Sequence, residues 1–219
     1  MLKLENITKE YKKGDQIIHA LNDVSLQAEN GEFVVVRGAS GSGKTTLLLV
    51  AGGLLKSNSG KIILNNEDIY NLTAEKRAIF RANNIGFVFQ QYHLIPYLTI
   101  LENVKVPMLA SNTNITENEV IELIDSLGLK ERLHHTPGEL SAGEKQRTAL
   151  ARALLFKPKI LLADEITGNL DPENIEIVMN RLADFKSSGG TILLVTHDKE
   201  LNKKADKVVY LEKGEILKS

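Results

Sequence analysis

The chain contains no cysteine among its 219 residues, which excludes a disulfide framework and a thiolate metal site and fits a reducing compartment. An excess of charge of either sign is also missing. With 27 basic and 28 acidic residues and a formal net charge of −1, no global positive field argues for a nucleic-acid partner. Long apolar runs are absent too. The longest, Leu47 to Leu55, is broken by two glycines and falls short of the roughly 20 residues that span a bilayer. The amino terminus, MLKLENITKEY, alternates like a strand and lacks the apolar core of a secretion signal. N-x-[ST] matches at Asn6, Asn71 and Asn114 therefore carry no expectation of glycosylation. These absences lead us to expect a soluble cytoplasmic protein, long enough for one sizeable core.

What is present centres on Phe33 to Ala51, FVVVRGASGSGKTTLLLVA. Phe33–Val36 is an apolar, β-branched run that reads as a strand buried on both faces. Gly38, Ala39, Ser40, Gly41, Ser42, Gly43, Lys44 and Thr45 then fit G-x-x-x-x-G-K-[ST] at every fixed position, with Thr46 following. Leu47 to Ala51 continue as a buried helix. Strand, glycine loop and helix are the context a phosphate cradle requires: successive N–H groups converge on one concavity, and the helix N-terminus adds unpaired donors and partial positive charge. Lys44 is expected to reach the β- and γ-phosphates, and the Thr45 hydroxyl to ligate Mg²⁺.

Before this loop, residues 1–32 alternate apolar and polar, with turns at Lys13-Gly14-Asp15 and Glu29-Asn30-Gly31, and read as antiparallel strands. Tyr11 is by spacing an ordinary strand-end aromatic, although its π-surface would also serve a purine. After it, Ser57–Gly60 turns into a strand at Lys61–Leu64, Asn65-Asn66 marks a tight turn, and Leu72–Ala82 reads as a charged helix capped by Thr73. Ile85–Phe89 is a further buried strand ending at Gln90, either a polar terminus or a ligand-facing group at a sheet edge. Residues 92–100 are aromatic and apolar without a period: a loop folded on the core or a docking surface. From about Leu101 to Phe156 the pattern is helical, with S/T-x-x-E capping boxes at Thr116–Glu119 and Ser141–Glu144. The second is explained by a well-capped helix, and equally makes a small-residue helix N-terminus suited to phosphate.

Ile160–Ala163 is a strand ending in Asp164 and Glu165. Adjacent carboxylates at the end of a buried strand need compensation. A cation held with Thr45 and a triphosphate would supply it to Asp164, leaving Glu165 to orient or deprotonate the attacking water. Gly168–Pro172 turns into a helix at 173–186. Thr191–Thr196 delivers His197 to the same sheet edge as a candidate γ-phosphate contact. Val208–Leu211 and Glu215–Leu217 close as a hairpin about Lys213-Gly214.

The order of these motifs resembles the ATPase subunit of ABC transporters over essentially the whole chain. Leu140-Ser141-Ala142-Gly143-Glu144 looks like that family's signature pentapeptide. IGFVFQQYHLIPYLTILENV and ADEITGNLD are more narrowly similar to the lipoprotein-releasing and MacB-type efflux branch, with the cell-division ATPase FtsE as a near relative. The resemblance implies an α/β P-loop NTPase (RecA-like) core at 33–91 and 157–219, an N-terminal antiparallel β subdomain at 1–32, and an inserted α-helical signature subdomain at 92–156.

It further implies that Tyr11 stacks on adenine, Gln90 senses Mg²⁺ and the attacking water, and His197 holds the γ-phosphate. Ser141, Gly143 and Glu144 would meet ATP bound to the other protomer's Lys44 in an ATP-dependent head-to-tail homodimer, with Asp171 at the seam. The segment at about 90–107 would dock an integral-membrane subunit, placing the chain on the inner face of the cell membrane. The implied activity is an Mg²⁺-dependent ATPase driving export or lipoprotein release, the alternative being FtsE-like regulation of a membrane-bound enzyme. Two departures from the usual Leu-Ser-Gly-Gly-Gln are Ala142, whose methyl is expected to crowd the partner's nucleotide, and Glu144, which keeps the capping box. Ile166 stands where proline is common, a change expected to be tolerated in a loop. A DNA-associated relative would need long heptad runs or a basic face, and neither is seen. A small-molecule kinase would leave the pentapeptide unexplained.

Overall fold

In a computed structural model, residues 1–110, 114–168 and 170–217 are described. The alternating first segment forms β1 (Leu2–Lys13) and β2 (Gln16–Ala28), antiparallel across the Gly14-Asp15 turn. The run ahead of the glycine loop is β3 (Phe33–Arg37), and α1 (Lys44–Ala51) begins at the loop's lysine. Then come β4 (Ser59–Leu64), β5 (Glu67–Asp68), α2 (Ala74–Asn84) and β6 (Ile85–Val88). The helical block contributes α3 (Ile100–Lys105), a 3₁₀ turn at Val106–Ala110, α4 (Glu117–Asp125) and α5 (Ala142–Leu154). The chain closes with β7 (Ile160–Asp164), α6 (Pro172–Ser187), β8 (Thr191–Thr196), β9 (Lys207–Glu212) and β10 (Glu215–Ile216).

Two sheets result, in the orders β2-β1-β4-β5 and β10-β9-β3-β8-β7-β6. The second is parallel from β9 to β6, and β10 returns antiparallel. The antiparallel unit is therefore larger than the 1–32 expected. Ile62 pairs with Leu4 and Leu64 with Leu2, so β4 continues the first sheet, and the Asn65-Asn66 turn adds β5. Those two asparagines sit at φ 51° and 65°, a left-handed pair that asparagine tolerates better than most residues.

Side-chain alternation divides the parallel strands between two cores. Val35, Leu161, Ala163, Ile192 and Leu194 face a layer formed with α3–α6. Val34, Val36, Leu162, Leu193 and Val195 face the antiparallel sheet and α1. At about 1.5–3 kcal/mol for each fully buried Val or Leu, β3, β7 and β8 stabilise both layers at once, and their C-terminal ends are held rigidly together.

Local signals also hold in the helical block. Thr116 and Ser141 cap α4 and α5 through reciprocal boxes with Glu119 and Glu144. A third box, Thr99 with Glu102, opens α3; the same T-x-x-E spacing announces it. Residues 92–98 do two things: Tyr92 and Leu94 pack on the core, while Tyr97 is 78% exposed. Ile166 lies in a turn, but its side chain is buried in the core, so this position is a packing site rather than free loop.

Candidate functional site

The C-terminal ends of β3, β6, β7 and β8 converge on a cleft of about 780 Å³. Ser40, Gly41, Gly43, Lys44, Thr45 and Thr46 line it from the loop and α1; Gln90, Asp164, Glu165 and His197 line it from the strand ends. At the loop, Gly43 has φ 103°, and a β-carbon there would lie 2.2 Å from the Ala20 carbonyl oxygen. The backbone must be bare at that point for the loop to nest against β2. Lys44 is 8% exposed and donates to the carbonyl oxygens of Gly38 and Ala39, both at 2.9 Å. Two of its three ammonium protons shape the cradle and one remains for a ligand. Ser42 is buried, and among the described residues its Oγ has no partner.

Opposite the loop, Thr45 Oγ1 donates to Asp164 Oδ2 at 2.8 Å. Burial pushes the Asp164 carboxyl above its ordinary range; the Thr45 hydroxyl opposes that, the Glu165 charge adds to it, and Lys44 opposes it weakly. The charged form of Asp164 is thus under-compensated by its own surroundings. A hydroxyl and a carboxylate side by side suit a hard dication that takes its remaining ligands from a substrate. Among the described residues no cluster of three or more His, Cys, Asp or Glu forms an all-protein metal cage.

Glu165 follows at φ 48°, a left-handed conformation uncommon for a residue with a side chain, held by its N–H donating to the Val195 carbonyl at 2.9 Å. That turn aims the carboxylate between two neighbours. Gln90 Nε2 donates to Oε2 at 3.3 Å, and His197 Nδ1 lies 3.0 Å from Oε1. Gln90 therefore contacts the carboxylate rather than Asp164. The result is an acidic group fixed from both sides, across the cleft from a lysine-bearing anion cradle.

Four walls of the cleft carry no motif in the sequence: Ile18, His19 and Ala20 from β2, and Lys213 from the β9–β10 turn. They arrive by topology. Asn22 N–H donates to the Gly214 carbonyl and Gly214 N–H to the Ser42 carbonyl, tying hairpin and loop together. Tyr11 does not line the cleft; it pairs with Ile18, which does, and lies 41% exposed near Lys9.

Ser141, Gly143, Glu144 and Asp171 gather elsewhere, where the first turns of α5 and α6 meet. A β-carbon on Gly143 would fall 2.2 Å from Asn174 Oδ1, so glycine is needed for this close approach. Asp171 caps α6 by accepting from Asn174 N–H at 2.8 Å, and also accepts from the Asn174 side chain. Glu144 is engaged on both oxygens: Oε2 accepts from Ser141 N–H in its own helix cap at 2.8 Å, and Oε1 from Arg132 Nε in the preceding 3₁₀ turn at 3.1 Å. The Ser141 backbone bond leads in holding its carboxyl below the usual range, so its charge stays in the cap. Ala142 is exposed beside it. Asn169, within the expected turn before α6, lies outside the described residues.

Residues 21–168 match the ABC transporter family. The lipoprotein-releasing system ATP-binding protein LolD of Rickettsia bellii is 43% identical, over 99% of this chain and 97% of that protein. The macrolide export ATP-binding/permease protein MacB of Brucella melitensis is 40% identical over 99% of this chain, which spans only 34% of that longer protein. Among solved structures, the ATP-binding cassette MJ0796 as a post-hydrolysis dimer bound to ADP and Pi superposes with a TM-score of 0.94 at 38% identity, covering 100% of this chain and 97% of that one. A nucleotide-free cassette from an ABC transporter gives 0.84 at 25% identity, with coverage of 100% and 90%.

Proposed function

The chain belongs to the ABC transporter family as one of its ATP-hydrolysing cassettes, and from that premise we propose that two copies close head to tail around two Mg²⁺–ATP, driving a membrane partner that exports a substrate or releases lipoproteins. The observation that carries the reading is the Gln90–Glu165–His197 contact chain facing Lys44, Thr45 and Asp164 across one cleft.

Within one copy, the loop N–H groups and the α1 N-terminus bind the phosphates, and the third ammonium proton of Lys44 bonds the β- and γ-oxygens. Thr45 and Asp164 would hold Mg²⁺, which would supply positive charge to neutralise the phosphate oxygens. Glu165 accepts the proton of the attacking water while Gln90 orients it, a contribution of about 10²–10⁴ in rate for a positioned base. His197 meets the γ-phosphate, and Tyr11 stacks on adenine with Ile18 beside it. The second copy contributes the α5 N-terminus, whose Ser141 and Gly143 cap the γ-phosphate. Asp171 lies at the seam, while Glu144 remains within its helix. Triphosphate supplies the negative charge these helix N-termini attract, so hydrolysis loosens the dimer.

The docking face is the stretch near 90–107, where Tyr97 is 78% exposed and Leu109, just beyond, is 90% exposed. No helix among the described residues is long and apolar enough to cross a membrane. The proposed place at the inner face of the cell membrane is therefore borrowed from the partner, which also selects the cargo. Affinity capture from detergent-solubilised membranes tests this. Wild-type chain is expected to bring down a permease, and Tyr97→Asp to lose it while keeping basal ATPase activity. Intact assembly by Tyr97→Asp refutes the docking face. A captured membrane-bound enzyme regulator instead of a permease refutes the transport role and favours FtsE-like regulation.

A further inference from the structure

Arg152 is in the last turn of α5, far from the cap formed by Ser141, and its guanidinium folds back onto the chain. One terminal N–H group donates to the Tyr92 carbonyl and the other to the His93 carbonyl, both at 2.6 Å. A planar guanidinium can satisfy two such acceptors in fixed mutual orientation. The two residues it grips are themselves unusual: Tyr92 and His93 are consecutive left-handed residues, at φ 59° and 47°. Tyr92 N–H donates to Phe89 and His93 N–H to Gln91, closing a tight turn directly after β6. The His93 ring packs edge-on to Phe89, with centroids 5.0 Å apart. Gln90 sits inside this turn, and its amide is the group that donates to Glu165.

We propose that Arg152 is a positioning residue for hydrolysis: by clamping the Tyr92–His93 turn to α5, it fixes Gln90 against Glu165, so water is oriented only when the signature helix is seated. This deepens the function proposed above and rests on its reading of Gln90 and Glu165 as the water-orienting pair. A helix that carries Ser141 at one end and grips the Gln90 turn near the other links two places that must act together. The linkage here is a pair of directed hydrogen bonds to otherwise strained backbone, not apolar contact alone. Lysine at 152 keeps the charge but offers a point donor on a flexible stem, so it cannot hold both carbonyls in one plane.

The test is a kinetic cycle on the full chain: wild type, Arg152→Lys, Gln90→Ala and the double variant, each with kcat, KM for ATP and melting temperature. Arg152→Lys is expected to lower kcat by about 10- to 100-fold, the cost of misplacing a reacting group by about an ångström, with KM and melting temperature nearly unchanged. In the Gln90→Ala background the same substitution should cost almost nothing more, because residues acting as a unit are not additive. Should Arg152→Lys melt early, Arg152→Gln, with its single amide donor group, takes its place in the cycle. Losses in kcat that multiply, or an Arg152 variant as fast as wild type, overturn the clamp while leaving Gln90 and Glu165 in their roles. A Gln90→Ala chain with wild-type kcat overturns both the pair and the clamp.

Discussion

Replacing Glu165 by glutamine keeps the shape of the side chain and removes its charge. The change is well tolerated by its neighbours. The amide oxygen can accept from Gln90 Nε2 where Oε2 does now, at 3.3 Å, and the amide N–H₂ can donate toward His197 Nδ1, now 3.0 Å from Oε1. The carboxyl of Asp164 loses a like-charged neighbour that raises its pKa, so the Thr45–Asp164 pair is if anything relieved. ATP binding should therefore survive, while the proton acceptor is gone. At 1.36 kcal/mol per tenfold, a loss of about 10²–10⁴ in turnover corresponds to about 2.7–5.4 kcal/mol on the barrier. With binding intact and hydrolysis slowed, the ATP-bound dimer should accumulate. Phosphate release gives the first quantity, and size-exclusion chromatography with light scattering in Mg²⁺ and ATP gives the second. Turnover near that of wild type would remove Glu165 as the base. Loss of ATP binding would show that the carboxylate serves the nucleotide rather than the water.

Further outcomes follow from Asp164 and Gly43. The Asp164 carboxyl has its folded-state pKa raised, chiefly by burial, so folding disfavours its charged form and the cost appears as pH rises through the raised value. Asp164→Asn should raise the melting temperature of the nucleotide-free protein at about pH 8 and lose that advantage near about pH 3, below the unfolded-state value, where the wild-type carboxyl is protonated in both states. It should also abolish Mg²⁺-dependent hydrolysis. A lower melting temperature at pH 8, read by scanning fluorimetry, contradicts this. Gly43→Ala must place a side chain at φ 103° and a methyl 2.2 Å from the Ala20 carbonyl oxygen. It should cost more than the ~1–2 kcal/mol of a left-handed residue alone and weaken ATP binding. Chemical denaturation checks the first, nucleotide titration the second, and a neutral result on both refutes the nested loop.

Much of this was legible in the chain because the informative residues are local in sequence. The glycine loop, the buried run before it and the S/T-x-x-E boxes each state their own geometry within a few residues. The parallel strands were readable from apolar runs bounded by turns, and their polar termini at Gln90, Asp164 and His197 marked the sheet edge. Long-range pairing was not readable. Nothing in Lys61–Leu64 says that it joins β1 rather than the parallel sheet, and the walls at Ile18, His19 and Lys213 reach the cleft through that pairing. Arg152 reads as one more charge on an amphipathic helix, because its acceptors are backbone carbonyls some 60 residues away, which leave no side-chain signature. Glu144 shows the reverse: a capping-box glutamate explains itself locally, and the structure keeps it there.

The most direct measurement mixes two defective chains, both also carrying Glu165→Gln so that bound ATP is retained. One chain has Lys44→Ala, the other Ser141→Arg, and each alone should trap no nucleotide. In a head-to-tail dimer one of the two composite sites joins the mutated Lys44 to the mutated Ser141, while the other joins both wild-type residues. The mixture is therefore expected to form a dimer retaining one labelled ATP per pair of chains. If the mixture traps no more ATP than either chain alone, while both remain folded, loop and signature helix do not share a nucleotide across two copies.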